Sequence, residues 1–297
     1  MSQLPTELRI SDDGRRNAGT SFPGTSWQME GGMESYRGKV VIITGACGGI
    51  GEAISRKFGE AGAALGLCDI RERELERLSS ELLNAGARVH SAAFDVTNDD
   101  QIRNFCDATA RSLGGIDTLV NTVGIIDNMG DVEGLSLAIW NKTLATNLTS
   151  AFLMAKCAVP HMKRRGSGSI INLSSISGFA NQPAVMAYSV TKAGLIALTK
   201  SEAIDLAKYH IRANAICPGS VDTPLLVEAV KLMAQDCGRT QEEQWQVWAS
   251  QYPMGRFCKP DEIAELSLFL ASDRAAYITG ASFVIDGGIT AVLSERC

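Results

Sequence analysis

Short apolar runs alternate with amphipathic stretches along the chain from Lys39 onward. Continuous apolar runs indicate strands buried on both faces, whereas apolar residues recurring every three or four positions indicate helices that bury one face. The runs predict strands at 40–44, 63–69, 88–94, 116–121, 169–173, 211–216 and 282–285. The amphipathic stretches predict helices at 49–61, 72–84, 100–113, 136–164, 187–208 and 260–271.

The alternation of strands and helices defines the fold class. Parallel strands need long crossovers, usually helical, and these helices cover both faces of the sheet. We therefore expect an α/β fold built on a doubly wound parallel sheet. No break in composition divides residues 36–297, so we interpret them as one domain. Residues 1–35 are rich in Gly, Ser, Asp and Arg without an apolar period, and we expect a flexible N-terminal extension there.

Composition narrows the classes of function. Of the 297 residues 45% are hydrophobic and 21% charged, with a net charge of -5, which argues against a nucleic-acid partner. No apolar stretch approaches the roughly 18 residues of a membrane span, and no signal-peptide pattern is present. We therefore expect a cytoplasmic protein without membrane contact. Eight cysteines without a C-x-x-C pair are predicted to be reduced thiols, and three scattered histidines predict no metal site.

A glycine-rich turn, Thr44-Gly45-Ala46-Cys47-Gly48-Gly49-Ile50-Gly51, joins the first predicted strand to the first helix. Glycines let the backbone approach a pyrophosphate, and the helix N-terminus offers free N–H groups and a positive dipole end. Such a turn can be purely structural, but its position after the first strand favours a dinucleotide site. The predicted contacts are Gly45, Cys47, Gly49, Ile50 and Gly51.

An acidic residue about 20 positions beyond such a turn binds the adenosine ribose of a dinucleotide. Asp69 ends the second predicted strand, 18 positions after Gly51. Its carboxylate can accept hydrogen bonds from both ribose hydroxyls and would repel a 2′-phosphate. Neither Cys47 nor Ile70 is basic, and Arg71 is expected to face solvent. We therefore predict NAD rather than NADP as the cofactor, with Asp69 and Ile70 beside its ribose.

The loops after the third and fourth strands supply further candidates. Asp95-Val96 follows the third strand, and Asn121-Thr122-Val123-Gly124 follows the fourth. In a doubly wound sheet these carboxyl ends line the ligand crevice, which makes Asp95, Val96, Asn121 and Gly124 predicted cofactor contacts. Asp95 by itself could equally be a turn cap.

Tyr188 and Lys192 are four positions apart in a predicted helix and therefore share one face. A neighbouring ammonium favours the phenolate form of a tyrosine. Bringing the tyrosine pKa from near 10 to neutrality needs about three units, roughly 4 kcal/mol, which Lys192 and a positively charged nicotinamide could supply together. Such a tyrosine accepts an alcohol proton as hydride leaves the carbon. Taken alone, the pair is equally consistent with an exposed amphipathic surface.

Taken together, these segments resemble the classical short-chain dehydrogenase/reductase family. The resemblance is carried by Thr44-Gly45-x3-Gly49-x-Gly51, Asp95, Asn121-x2-Gly124, Asn147, Ser175, Tyr188-x3-Lys192 and Pro218-Gly219-x-Val221-x-Thr223. Order and spacing match across about residues 36–290, including the 13 positions between Ser175 and Tyr188. The resemblance implies a Rossmann fold and an oxidoreductase that transfers a hydride between NAD and a secondary alcohol or ketone.

The resemblance also implies residue roles. Tyr188 would be the general acid/base, and Lys192 would lower its pKa and hold the nicotinamide ribose. Ser175, with Ser174 as the adjacent alternative, would bind the substrate oxygen. Asn147 would hold a water that continues the proton path to solvent. The contacts on the carboxamide side of the nicotinamide would be Pro218, Gly219, Val221 and Thr223.

One segment departs from the family pattern. The usual Asn-Asn-Ala-Gly after the fourth strand is Asn121-Thr122-Val123-Gly124 in this chain. Thr122 keeps a hydrogen-bonding group, whereas Val123 is bulkier beside the cofactor. We expect an adjusted fit of the cofactor and retained binding.

Residues 225–257 are predicted to form an amphipathic helical lid over the substrate, where the family places its specificity. A helix pair packed on the body of the domain is the alternative, and residues 127–133 are a second candidate wall. Two tryptophans in the lid would suit a ring-shaped or sugar-like substrate. The apolar residues of this segment are Leu225, Leu226, Val230, Met233, Trp245, Trp248, Tyr252 and Met254.

Assembly and function remain as hypotheses at this point. The helix that begins at Ala187 contains small residues that permit close packing between helices, namely Ala193, Gly194, Ala197 and Ala203. The resemblance implies a homotetramer formed through this helix. The leading function is an NAD-dependent dehydrogenase for a polyol, sugar, cyclic diol or hydroxysteroid type of substrate. The alternatives are an NADPH-dependent carbonyl or 3-ketoacyl reductase and a non-catalytic dinucleotide-sensing module. Intact Tyr188 and Lys192 argue against the module.

Overall fold

A computed structural model describes residues 36–126 and 130–292. The predicted N-terminal extension, residues 1–35, lies outside the described residues. The strands that the described residues form agree with the predicted ones to within two residues at each end. They are β1 Val40–Thr44, β2 Ala64–Asp69, β3 Val89–Ala93, β4 Thr118–Asn121, β5 Gly168–Leu173, β6 Ile211–Pro218 and β7 Ser282–Ile285.

The helices follow the prediction with one break. The predicted helix 136–164 is two helices separated by a π-helical turn, Ala145–Thr149. A π turn adds one residue to the helical repeat, which apolar periodicity does not reveal. The α-helices are α1 Gly49–Glu60, α2 Glu72–Asn84, α3 Asp99–Leu113, α4 Leu137–Leu144, α5 Ser150–Arg165, α6 Met186–Leu206, α7 Pro224–Asp236, α8 Gln241–Ala249 and α9 Pro260–Ala271.

Local sequence signals set several helix ends. The Asn98 side chain accepts a hydrogen bond from the Gln101 N–H at the start of α3, and Gly114 ends that helix with φ 98°. At the start of α8, Thr240 and Glu243 form a reciprocal capping box. These contacts satisfy main-chain groups that a helix end leaves without partners. The ends of α3 lie within one residue of the predicted 100–113.

Seven strands of the described region form one parallel sheet in the order β3-β2-β1-β4-β5-β6-β7. The strand order reverses its direction between β1 and β4. In doubly wound sheets, ligands bind beyond the carboxyl ends of the strands at such a switch point. The predicted fold class is confirmed, and the topology locates the crevice.

Apolar layers cover both faces of the sheet, and the lid has a small core of its own. Phe58 of α1 lies in the layer shared with α2 and α9, and Phe105 of α3 lies in the layer shared with α5. No helix among the described residues is long and apolar enough to cross a membrane. The separate cluster of α7, α8 and the chain that follows comprises Leu226, Val230, Ala249, Tyr252 and Phe257.

Candidate active site

The register of the sheet aligns the ends of three neighbouring strands. Thr44 of β1 pairs with Asn121 of β4, which pairs with Asn172 of β5. Because these strands are parallel, the loops that follow them open at the same edge of the sheet. The glycine turn, the chain after β4 and the segment of Ser175 therefore border one crevice.

The glycine turn is packed so closely that glycine is required at several positions. Gly45 has φ +61°, and a β-carbon on Gly51 would lie 2.1 Å from the Gly45 carbonyl oxygen. A β-carbon on Gly49 would lie 2.7 Å from Cγ2 of Thr223, so the chain after β6 packs on this turn. Gly48 precedes α1 without a side-chain cap, which leaves the first N–H groups of the helix open to a phosphate. This cradle fits the predicted dinucleotide.

The Asp69 carboxylate lies at the end of β2 with its side chain only 4% exposed. Oδ2 accepts a hydrogen bond from the Cys47 N–H at 2.9 Å, and Oδ1 accepts from the main-chain N–H and Nε of Arg71, both at 3.0 Å. Burial alone raises the pKa of Asp69, but the hydrogen bonds from Arg71 and Cys47 outweigh burial and lower it. Asp69 is therefore ionised and ties the glycine turn to β2.

The Arg71 side chain corrects one prediction. Its guanidinium does not simply face solvent but folds back onto Asp69, with Nη2 3.2 Å from Oδ2. The short turn after β2 brings the main-chain and side-chain donors of Arg71 to the same carboxylate. Ile70, between them, is 67% exposed. A basic group is therefore present at the predicted ribose site.

Three predicted cofactor contacts have side chains that are engaged within the fold. Oδ1 of Asp95 accepts hydrogen bonds from the N–H and hydroxyl of Thr97, at 2.9 and 2.8 Å, which is the turn-cap alternative. Val96 is buried in the apolar layer beneath α3. Asn121 donates to Oδ1 of Asn172 at 2.9 Å. These side chains shape the crevice by fixing the strand ends.

Ser175, Tyr188 and Lys192 come together between the end of β5 and α6. The side chain of Ser175 lies near enough to the phenol of Tyr188 to lower its pKa, and Nζ of Lys192 lies 5.4 Å from the Tyr188 ring centroid. Lys192 donates to the Leu173 carbonyl at 2.7 Å. Ser174 instead donates to the Lys192 carbonyl at 2.7 Å, so it is turned into the helix. Of the two serines, only Ser175 faces Tyr188.

Burial dominates the electrostatics of this cluster. Burial raises the pKa of Tyr188, and the hydrogen bond from Ser175 offsets this only in part. Burial lowers the pKa of Lys192 to about 8. The lowering of the tyrosine pKa was predicted for Lys192 acting together with a bound nicotinamide, and it stays a prediction; the Lys192 ammonium is directed at the Leu173 carbonyl. Tyr188 is held as a neutral acid.

The π turn places Asn147 inside the protein beside Lys192. Oδ1 of Asn147 accepts from the Ile125 N–H at 2.8 Å, and Nδ2 donates to the Ile125 carbonyl at 2.9 Å and to the Thr191 hydroxyl at 3.2 Å. A β-carbon on neighbouring Gly124 would lie 3.2 Å from Nζ of Lys192. Asn147 thus ties the chain after β4 to α6. Both hydrogens of the Asn147 side-chain amide are donated to these partners, so Asn147 could bind the predicted water only through its carbonyl oxygens.

The chain after β6 borders the crevice from the other side. Thr223 caps α7, and its hydroxyl donates to the Val221 carbonyl at 3.2 Å. Within the described residues, the main-chain N–H groups of Val221 and Thr223 have no hydrogen-bond partner. Donors left free at a crevice suit a polar ligand group, in agreement with the predicted carboxamide contacts.

The two lid tryptophans pack inside the lid. The Trp245 ring meets Phe257 edge-on at 4.7 Å, and Trp248 meets the same ring at 5.9 Å. The hypothesis that they form the wall for a ring-shaped substrate gains no support from this packing. The segment is a helix pair, α7 and α8, with a core of its own. Its predicted role as a lid over the substrate stays a prediction.

Several large apolar side chains are exposed in the segments that carry or follow the predicted site residues. Leu225 and Met254 of the lid region are 62% and 63% exposed, and Phe179 and Met186, which flank Ser175 and Tyr188 in the sequence, are 50% and 37% exposed. The sequence analysis did not single out the last two, which lie four positions after Ser175 and two positions before Tyr188. Residues 127–129 of the second candidate wall lie outside the described part of the chain.

A glycine turn at the switch point of a parallel sheet, with a Ser–Tyr–Lys cluster beside it, is the arrangement of a nicotinamide-dependent oxidoreductase. A family model described as Enoyl-(Acyl carrier protein) reductase matches residues 45–290. The chain is 37% identical to cis-4-hydroxycyclohexanecarboxylate dehydrogenase of Sinomonas cyclohexanicum, over 87% of this chain and 99% of that protein. It is also 37% identical to 3-alpha-(or 20-beta)-hydroxysteroid dehydrogenase of Mycobacterium bovis, over 87% and 92%.

The fold of the chain also matches that of a solved oxidoreductase. L-sorbose reductase from Gluconobacter frateurii, complexed with NADPH and L-sorbose, superposes with a TM-score of 0.83 at 32% identity, covering 88% of this chain and 99% of that one. The chain therefore belongs to the classical short-chain dehydrogenase/reductase family. It is an oxidoreductase that acts on CH–OH groups with a nicotinamide dinucleotide.

Proposed function

We propose that the protein is an NAD-dependent dehydrogenase of secondary alcohols, with Tyr188 as the general acid/base. The observation that carries the proposal is the buried cluster in which the Ser175 hydroxyl meets Tyr188 and Nζ of Lys192 lies 5.4 Å from its ring. The dinucleotide would accept or supply the hydride. Tyr188 would move the proton of the substrate oxygen, while Ser175 would hold that oxygen and stabilise its charge.

The direction of the tyrosine pKa favours a particular use of the site. A tyrosine with a raised pKa is protonated at neutral pH and is ready to donate to a carbonyl oxygen. Alcohol oxidation needs the deprotonated phenolate of Tyr188, so its rate should increase as pH rises. Lys192 would help to hold the nicotinamide ribose, with Asn147 keeping the chain after β4 in place beside it.

The cofactor proposal rests on Asp69. Its buried, ionised carboxylate at the end of β2 can accept the two ribose hydroxyls of NAD. The four residues of the glycine turn that follow Gly45 are Ala46, Cys47, Gly48 and Gly49, and they bring no basic side chain. The expected contacts of the dinucleotide include Gly45, Cys47, Gly49, Ile50, Gly51, Ile70, Asp95, Val96, Asn121, Gly124, Pro218, Gly219, Val221 and Thr223.

A second candidate, an NADPH-dependent carbonyl reductase, is favoured by Arg71. Its guanidinium already neutralises Asp69 and could turn to a 2′-phosphate instead. Rates with NAD and NADP at equal concentration separate the two candidates. We expect NAD to be preferred, Asp69→Ala to weaken NAD binding by about 10- to 100-fold through the lost charged hydrogen bonds, and Arg71→Ala to reduce use of NADP alone. Arg73→Ala, at an exposed position on α2, is the matched control.

The proposed substrate is a cyclic secondary alcohol with an apolar ring. Phe179 and Met186, which flank Ser175 and Tyr188 in the sequence, and Leu225 and Met254 of the lid region are exposed apolar side chains available to such a ring. The relatives named above include dehydrogenases of a hydroxylated cyclohexane carboxylate and of hydroxysteroids. A panel of cyclic alcohols, sugars, polyols and steroids, followed by nicotinamide absorbance, tests this. Turnover of open-chain polyols or sugars alone would refute it.

We further propose a homotetramer that uses α6. Its exposed face carries a row of apolar residues, Val190, Ala193, Ala197 and Ile204, of which Ile204 is 78% exposed. Gly194 instead serves packing within the chain, since a β-carbon there would lie 2.7 Å from Cδ2 of Leu148. A monomeric mass in light scattering at micromolar concentration would reject the proposal. The cytoplasmic location stays a prediction.

A further inference from the structure

The chain after β6 is anchored at several points to segments distant in sequence. The Gly219 N–H donates to the Ile285 carbonyl at 3.1 Å. The Ser220 carbonyl accepts from the Cys258 N–H at 3.0 Å, and the Asp222 N–H donates to the Cys258 carbonyl at 2.8 Å. The loop is therefore held between β7 and the chain that follows α8.

Tyr252 of the lid region provides a further anchor for this loop. The hydroxyl of Tyr252 accepts a hydrogen bond from the Ser220 N–H at 2.9 Å and donates to the Ser220 hydroxyl at 2.7 Å. Its ring is 4% exposed and packs edge-on against Phe257, 5.6 Å away, in the lid core. A β-carbon on Gly219 would lie 3.0 Å from Cε1 of Tyr252, so the ring lies directly against the loop.

These bonds fix the orientation of two successive peptide groups. The Ser220 N–H belongs to the peptide held by Tyr252, and the Ser220 carbonyl belongs to the next peptide, held by Cys258. A trans peptide is planar and directs its C=O and N–H to opposite sides. Anchoring the Ser220 carbonyl on Cys258 therefore directs the Val221 N–H away from Cys258. That N–H has no partner within the described residues.

We propose that Tyr252 is a positioning residue that connects the lid core to the nicotinamide end of the cofactor site. It holds the N–H and hydroxyl of Ser220 while Cys258 holds the Ser220 carbonyl, and the two anchors together set the position of the Val221 N–H. The inference rests on the proposed use of a nicotinamide dinucleotide. It gives the lid a role in holding the cofactor in addition to covering the substrate. A lid that shifts relative to the sheet moves the Tyr252 hydroxyl and with it the donor at Val221.

The test compares the affinities of Tyr252→Phe for NADH and for ADP-ribose, which lacks the nicotinamide. Phenylalanine keeps the ring in the lid core but leaves the Ser220 N–H without its acceptor, a loss that corresponds to about 10-fold in affinity. We expect NADH to bind about 10-fold more weakly and ADP-ribose to change less than about twofold. If the wild-type protein prefers NADP, the two ligands compared are NADPH and 2′-phospho-ADP-ribose, which lacks the nicotinamide.

Two further variants complete the design. Ser220→Ala removes only the hydroxyl and keeps the N–H bonded to Tyr252, so its loss for NADH should be smaller. Tyr277→Phe, at a fully exposed tyrosine, is the matched control. Equal weakening of both ligands in Tyr252→Phe, or no weakening of either, would overturn the inference while the wild-type protein binds NADH. A wild-type protein that binds neither dinucleotide would overturn the proposed function, and the inference with it.

Discussion

Replacing Glu202 by glutamine should stabilise the protein at neutral and alkaline pH. Glu202 lies on α6, is 8% exposed, and its Oε2 accepts a hydrogen bond from Nδ2 of Asn172 at 2.8 Å. Oε1 has no hydrogen-bond partner among the described residues. Burial therefore raises the pKa of this carboxyl from 4.5 to about 7, with the bond from Asn172 opposing the shift.

The sign and size of the effect follow from this pKa. Between pH 4.5 and 7 the folded state retains a proton that the unfolded state has lost, so the free energy of unfolding falls as pH rises. A shift of two to three pKa units corresponds to a loss of about 3 kcal/mol once pH exceeds 7. Glutamine keeps an oxygen acceptor for Asn172 and does not ionise. Its unpartnered NH₂ group costs about 1 kcal/mol, so a net gain of about 2 kcal/mol is expected at pH 8.

Urea unfolding of wild type and Glu202→Gln at pH 5 and pH 8, at one protein concentration, measures the effect. The difference between the two proteins should change by about 2.5 kcal/mol between the two pH values, because part of the loss has already occurred at pH 5 and the contributions of all other groups cancel. Asp205→Asn, at an exposed position on the same helix, is the matched control. A difference between wild type and Glu202→Gln that is the same at both pH values would show that this carboxyl does not titrate as argued.

Three further predictions concern the site itself. Tyr188→Phe should lower turnover by about 10²- to 10⁴-fold while dinucleotide binding, measured by fluorescence titration, is retained; unchanged turnover would remove Tyr188 from the mechanism. Because burial lowers the pKa of Lys192 to about 8, steps that need its ammonium should slow above that pH; a reduction rate that stays constant from pH 7 to 10 would contradict the role given to the lysine. Gly51→Ala should abolish dinucleotide binding, since its β-carbon would lie 2.1 Å from the Gly45 carbonyl oxygen; normal affinity in equilibrium dialysis would mean that the turn is not the cradle.

Much of the fold could be predicted because its signals are local. Val40 to Thr44 is a continuous apolar run, which is how a strand buried on both faces appears in a sequence. The π turn at Asn147 could not be predicted, because one inserted residue hardly changes the apolar period over a long helix. The choice of Ser175 over Ser174 was made from spacing, and the hydrogen bond from Ser174 to the Lys192 carbonyl gives it a geometric reason.

The error at Arg71 concerns a contact whose partner is set by folding. The sequence placed Arg71 in solvent, but the turn after β2 directs its guanidinium to Asp69. The suggestion that the lid tryptophans suit a ring-shaped substrate gains no support from the structure, because both rings pack on Phe257 in a local core. The lowered tyrosine pKa, predicted for Lys192 acting together with a bound nicotinamide, stays a prediction. Spacing brings two groups to one face, whereas the pKa depends on burial and on where the lysine hydrogen-bonds.

The sequence by itself determined the order of strands and helices, the positions where only glycine fits, and the order in which Ser175, Tyr188 and Lys192 follow one another. These depend on periodicity, on backbone sterics and on spacing, which neighbouring residues decide. Only the tertiary structure decided which groups are buried together and which hydrogen bonds they make. Desolvation and hydrogen bonding act through space, so the raised pKa of Glu202, the pairing of Arg71 with Asp69 and the contact of Tyr252 with Ser220 exist only once distant segments have packed.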